Sequence, residues 1–242
     1  MIDTHCHIDQ YKNPEKVLEN CDRSGMIVLA MTNLPSHFEM GYQHVLPYKK
    51  IRLALGMHPL YAEEHAKEFP IFLRNLSKTS YIGEVGLDFS REGYSTKEIQ
   101  VDNFKKILDS LAGKKKILSL HSRRAEKEVL HNLVAKKVKG AIFHWYSGPV
   151  TLINDICQAG YFLSVNPSMI KSESGCKIVD RIPKSHILTE TDGPFTKVDG
   201  RQTEPTDVRL VYQYLATLWD KDIQEVTDTI YTNFQNLISH IR

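Results

Sequence analysis

Short apolar runs alternate with amphipathic helical stretches along the 242-residue chain at roughly thirty residues per unit, and that alternation predicts an α/β fold, a (β/α)8 TIM barrel forming a single domain over residues 1–242. Three observations carry the prediction. Eight apolar runs can be counted, each long enough for a strand. No linker, low-complexity stretch or composition break separates them. The length falls within the ~200–250 residues usual for one closed barrel. An open doubly wound sheet is the alternative, but it would usually place a glycine-rich phosphate turn after the first strand, where this chain has His5-Cys6-His7.

Residues 2–7 read as the first strand, since Ile2, the β-branched Thr4 and the lack of a helical period favour extended chain. A helix over 14–24 is opened by Pro14, carries Glu15 in its first turn and stops before Gly25. Residues 26–32 form a continuous apolar run of the kind shown by a parallel strand buried on both faces. A weaker helix at 36–48 leads to strand three at 51–56, and a helix at about 61–77 leads to strand four at 81–87. Residues 95–112 hold Ile99, Phe104, Ile107, Leu108 and Leu111 at helical spacing. Strand five (116–121), helix five (123–136) and strand six (138–145) continue the pattern. A helix at 149–159, strand seven at 161–165 and strand eight at 187–191 follow, and helices near 205–218 and 222–239 close the chain.

An apolar fraction of 41% with 25% charged residues is that of an ordinary globular protein able to bury a core. No apolar run approaches the ~18 residues of a membrane span, and the chain starts in a strand without a signal-peptide pattern. No membrane contact and a cytoplasmic location are therefore expected. Cys6, Cys21, Cys157 and Cys176 lack Cys-x-x-Cys spacing, as reduced structural thiols do. A net charge of +2 excludes a protein that holds nucleic acid mainly by a broad basic surface. The charge is uneven, however: residues 112–139 contain nine Lys/Arg against two Glu. In a barrel, Lys114–Lys116 and Lys136, Lys137 and Lys139 would lie on the bottom rim, a candidate surface for a protein partner.

Catalytic groups in such a barrel come from the C-terminal strand ends. His5 and His7 are two residues apart on one strand and so share a face. Glu84 lies within strand four, His121 ends strand five, His144 is near the end of strand six and Asp192 follows strand eight. A carboxylate inside the run Ile82-Gly83-Glu84-Val85-Gly86-Leu87 is costly unless paired or metal-bound. Six nitrogen and oxygen donors are too many for one tetrahedral ion and suit two divalent ions sharing a carboxylate. Without a thiolate among them, Zn, Mg and Mn are all allowed.

The motifs Asp3-Thr4-His5-Cys6-His7, Gly56-Met57-His58-Pro59, Gly83-Glu84-Val85-Gly86-Leu87-Asp88, His121-Ser122-Arg123, His144-Trp145-Tyr146-Ser147-Gly148, Glu190-Thr191-Asp192-Gly193-Pro194 and Glu204-Pro205 resemble, in order and spacing, those of the TatD family of metal-dependent hydrolases and deoxyribonucleases, within the amidohydrolase superfamily. The resemblance runs through Asn233-Phe234. It implies that His5, His7 and Asp192 hold one ion, that Glu84 bridges, and that His121 and His144 hold the second. It further implies cleavage of single-stranded DNA from the 3′ end. On chemical grounds Asp192 is the candidate to accept a proton from the attacking water, and Glu190, two residues away and on the same face if the strand continues, to orient that water or a ligand histidine. His58, Arg123 and Arg201 are candidate substrate contacts, with Arg91, Lys171 and Lys197 in neighbouring loops; Trp145, Tyr146 and Phe195 are candidates to stack on an unpaired base. Asp3, Asp9 and Asp88 are candidate supports. The chain departs from the family at Leu60 after Pro59, at Gly193 and at Thr196-Lys197-Val198, and is slightly short for it; these loops put substrate choice in question more than metal binding. A TatD-like role in the anti-phage Qat system, hydrolysis of another ester or amide, and a metal-stabilised barrel serving as a subunit of a larger assembly are the alternatives.

Overall fold

Local signals build each unit of the computed structural model, which describes residues 1–241. Ile2–Cys6 forms β1, and the Asn13 side chain caps α1 (Pro14–Arg23) by accepting the Lys16 N–H at 3.1 Å. Pro14 fits the first helical turn, where a backbone N–H would have no partner. α1 buries Val17, Leu18 and Cys21, and the chain returns as β2 (Ile27–Ala30), parallel to β1. After α2 (Pro35–Val45), β3 comes in two segments, Ile51–Leu53 and Leu55–Met57. The step then repeats through α3 (His65–Asn75), β4 (Tyr81–Gly86), α4 (Lys97–Ser110), β5 (Ile117–His121), α5 (Glu126–Ala135) and β6 (Gly140–Phe143). It continues with α6 (Ile153–Gln158), β7 (Phe162–Val165), α7 (Glu173–Arg181) and β8 (Ile187–Thr189).

Each strand pairs parallel with its neighbour in chain order; β2 pairs with the first segment of β3 and β4 with the second. β8 returns to β1, where Thr4 Oγ1 donates to the Thr189 carbonyl at 3.0 Å and Thr189 Oγ1 to the Ile2 carbonyl at 2.6 Å. These bonds close a TIM barrel in one domain. The apolar faces of strands and helices form the core, from Val28 and Leu55 through Ile82, Leu118 and Ile142 to Leu163. α8 (Arg209–Trp219) and α9 (Ile223–Ile238) complete the outer layer. Among the described residues no helix is long and apolar enough to cross a membrane.

The elements differ from the sequence reading in several places. Strand three breaks at Ala54, strand six is shortened to Gly140–Phe143, and strand eight ends at Thr189. α7 was not foreseen, although Ser172 caps it and Ile178 and Val179 supply its buried side. The hairpin β9 (Lys197–Val198) and β10 (Arg201–Gln202) was not foreseen either; Asp199-Gly200 is its turn, both with positive φ, which is a strong hairpin signal.

The break in β3 bears on the site. Gly56 passes directly under the end of β2, and a Cβ there would lie 1.5 Å from the Thr32 carbonyl oxygen. The missing side chain lets that carbonyl accept the Glu84 N–H at 3.1 Å. Gly56→Ala is expected to destabilise by about 3 kcal/mol or more, because the obstacle is backbone rather than a flexible side chain. A fall in melting temperature of about 6–12 °C checks this.

Candidate metal centre

Extended backbone at β1 sends Cys6 into the core and turns His5 and His7 to the opposite side, their Nε2 atoms 3.2 Å apart. Ser119 Oγ on β5 holds His5 Nδ1 at 2.7 Å, which leaves Nε2 as the inward atom. Burial, with His144 alongside, lowers the His5 pKa to about 3, so its ring is neutral at pH 7, the form that binds a metal.

Glu84 is the centre of the arrangement. Its Oε2 lies 3.4 Å from His5 Nε2 and 3.2 Å from His7 Nε2. Its Oε1 lies 2.6 Å from His121 Nδ1, 2.9 Å from His144 Nε2 and 3.4 Å from His58 Nε2. The two oxygens thus face two different groups of imidazoles. Burial alone would raise the Glu84 carboxyl, but the surrounding histidines, His58 and His144 foremost, outweigh it and hold the group well below the carboxylate range.

Asp192 sits just past β8 in the left-handed region at φ 50, a conformation Asp tolerates better than most residues. Its N–H donates to the His5 carbonyl at 2.8 Å, and its Oδ1 is 3.7 and 3.8 Å from His5 and His7 Nε2. Burial raises its pKa to about 7, partly offset by His144 and His7. Beneath it, buried Asp3 accepts N–H bonds from His5 at 3.1 Å and Thr191 at 3.0 Å, tying the ends of β1 and β8 together.

His121 is clamped between Glu84 and Asp88, with Nε2 2.8 Å from Asp88 Oδ2. Although burial raises it, the Asp88 pKa is drawn down to about 2 by His121 and Ser90. His144 stacks on His5 at 3.8 Å between ring centroids, and its Nδ1 is 3.7 Å from Glu190 Oε1. Glu190 is fully buried; it accepts the Trp145 N–H at 2.9 Å and Asn166 Nδ2 at 3.0 Å, and Ser164 Oγ also donates to it.

Six residues far apart in sequence therefore converge: His5, His7, Glu84, His121, His144 and Asp192. Three sets of donor atoms, His5–His7–Glu84, His5–His144–Asp192 and His58–Glu84–His121, each lie within 4.8 Å of one another. Tetrahedral coordination at bond lengths of ~2.1 Å requires donors roughly 3.4 Å apart, so most of these spacings fit divalent cations. The donors are nitrogen and carboxylate oxygen, and His7 Nδ1 and His144 Nδ1 are buried without a hydrogen-bond partner.

The centre opens into a cavity of about 580 Å³ lined by Arg123, Trp145, Phe195, Tyr61 and Asn33 among others. His58 lies closer in than a substrate contact need be, at ligand distance from Glu84. Arg123 lines the cavity, paired with Glu92 at 3.1 Å. Arg201, a candidate substrate contact, has its guanidinium on Asp207 at 2.6 and 2.7 Å and does not line this cavity. Arg91, Lys171 and Lys197 do not line it either. Tyr146 is buried, its hydroxyl donating to the Pro149 carbonyl at 2.7 Å, which removes it from the stacking candidates. Glu190 stands behind His144 and does not line the cavity. Ser119, Ser164 and Asn166 escaped the sequence reading, because nothing local distinguishes a serine that reaches a ligand from one that does not.

A family model described as TatD related DNase matches residues 2–239. The chain is 29% identical over 243 residues to an uncharacterized metal-dependent hydrolase of Methanocaldococcus jannaschii, covering 96% of this chain and 94% of that one. It is 25% identical over 262 residues to human deoxyribonuclease TATDN3, covering 100% and 96%. The crystal structure of the TatD homolog YJJV from Escherichia coli superimposes with a TM-score of 0.86 at 21% identity over 98% of this chain and 97% of that one. The chain belongs to the TatD family of metal-dependent hydrolases and deoxyribonucleases.

Proposed function

We propose that this chain hydrolyses phosphodiester bonds of single-stranded DNA, working from the 3′ end, with two divalent cations held by His5, His7 and Asp192 on one side and His121 and His144 on the other, Glu84 bridging. The observation that carries the reading is the division of the Glu84 oxygens between two groups of imidazoles. His58, also within reach of Oε1, has the position either of a further ligand or of a contact to the scissile phosphate. Bound there, divalent cations would supply acidified water and charge stabilisation for a phosphodiester oxygen.

The protein's own groups do the rest. Asp192, whose Oδ1 lies beside His5 and His7, would accept the proton that the attacking water loses. Arg123 at the cavity wall offers a charge-assisted contact to a phosphate. Trp145 and Phe195, the latter 55% exposed, present faces on which an unpaired base can stack. A cavity of about 580 Å³ is the size of a small-ligand pocket and suits a strand end better than a duplex.

The test is hydrolysis of a single-stranded oligonucleotide labelled at either end, with Mg, Mn or Zn added and with EDTA. The expected outcome is loss of the 3′ label first as a mononucleotide, and no reaction in EDTA. Intact DNA under every metal, with turnover of an aryl ester instead, would replace this reading by hydrolysis of another ester. Cleavage by Asp192→Asn at the wild-type rate would assign the activity to a contaminant.

A further inference from the structure

We propose that Tyr61 and Phe195 are base platforms on either side of the scissile phosphate, so that the chain recognises two consecutive unpaired nucleotides at a strand end. The inference rests on the reading of the metal centre as a deoxyribonuclease site and adds Tyr61 to it as a specificity-determining residue. Both rings line the cavity over the centre, Tyr61 41% and Phe195 55% exposed. Exposed Leu60, just before Tyr61, lines the cavity too. Single exposed apolar side chains are ordinary on a protein surface, but three gathered over a polar centre mark a ligand surface. Trp145, the third large aromatic of the cavity, packs partly against the core.

The two rings divide as the Glu84 oxygens do. Phe195 lies against His7 with ring centroids 5.0 Å apart and planes at 70°, and His7 Nε2 faces Glu84 Oε2 at 3.2 Å. Tyr61 lies against His58 at 6.0 Å and 77°, and His58 Nε2 faces Oε1 at 3.4 Å. A phosphate lying over Glu84 therefore has one platform beyond each group of imidazoles, where the nucleosides on its 5′ and 3′ sides must go. A duplex, its bases already stacked and paired, offers neither face for such contacts.

Each platform is set by the same short turn that delivers a residue of the centre. Tyr61 is three residues after His58, and its N–H donates to the His58 carbonyl at 3.0 Å, which also lies 3.0 Å from His65 Nε2. His58 Nδ1 in turn accepts the Leu60 N–H at 3.2 Å. Phe195 is three residues after Asp192, and its N–H donates to the Asp192 carbonyl at 2.9 Å. Thr196 Oγ1 anchors the next residue on the Thr191 carbonyl at 2.7 Å. With the backbone held in this way, only side-chain torsions remain to be fixed when a base arrives. Tyrosine and phenylalanine have few of them, which keeps the entropic cost of stacking low.

The test is fluorescence anisotropy on the full chain with added Mg, using labelled phosphorothioate dT12. Two further probes each carry an abasic residue at one of the two nucleotides flanking the terminal linkage, at whichever end the label assay finds attacked first. Either lesion is expected to weaken wild-type binding by about fivefold or more, the worth of one stacked base. Tyr61→Ala should weaken intact dT12 by a similar factor and lose its response to one lesion, and Phe195→Ala should lose its response to the other. Tyr61→Phe and Phe195→Tyr should respond to both, and all four variants should keep the metal-induced rise in melting temperature, which guards against a folding defect. A wild-type affinity indifferent to either lesion, alanine variants that both lose the response to the same lesion, or alanine variants that respond as wild type does would each overturn the proposal while leaving DNA hydrolysis in place. A wild-type chain that cleaves no DNA under any metal would overturn both the proposal and the reading on which it rests.

Discussion

Glu84→Gln is expected to lower DNA hydrolysis by about a thousandfold or more, a loss of roughly 4 kcal/mol of transition-state stabilisation. The amide keeps the shape of the side chain but can present only one oxygen, so one group of imidazoles loses the acceptor that joins it to the other. Metal binding should fail with it. Wild-type protein at a hundredfold excess of metal over Kd gains about 2.7 kcal/mol of stability. For a chain of this size that is a rise in melting temperature of about 5–10 °C. Glu84→Gln should lose most of that rise, and its metal content after gel filtration should fall. Retention of two ions per chain with full activity would remove Glu84 from the bridge.

Glu190→Ala is expected to cost about 3–5 kcal/mol in stability, measured by urea unfolding. The truncation leaves the Trp145 N–H, Asn166 Nδ2 and Ser164 hydroxyl without their acceptor in a fully buried place. Glu190→Gln separates positioning from support. It retains the volume and an acceptor oxygen and should fold with a loss of about 1–2 kcal/mol, because one amide donor now faces other donors. Its kcat should nevertheless fall by about 10–100-fold with KM little changed, since the negative charge 3.7 Å from His144 Nδ1 is lost. If folded Glu190→Gln turns over at the wild-type rate, Glu190 is purely structural.

The order of strands and helices was legible because burial writes a period into the chain, as in the run 26–32 and the spacing of Ile99, Phe104, Ile107 and Leu108. The same logic made His5 and His7 a pair, since alternate residues of extended chain share a face. α7 and the Asp199-Gly200 hairpin also carry local signals, Ser172 as a cap and Asp-Gly as a turn.

The residue types of the centre, and their location at one end of a barrel, were thus determined by sequence alone, since strand ends and donor chemistry are local properties. Only the tertiary structure decided which atoms meet. Ser119 reaches His5 across 114 positions, Thr32 reaches Glu84 because Gly56 puts no Cβ against its carbonyl, and Asp207 holds Arg201 away from the cavity. A hydrogen-bond partner must lie within about 3 Å, and that distance follows from strand register, barrel closure and the bends of loops, none of which leaves a period in the chain.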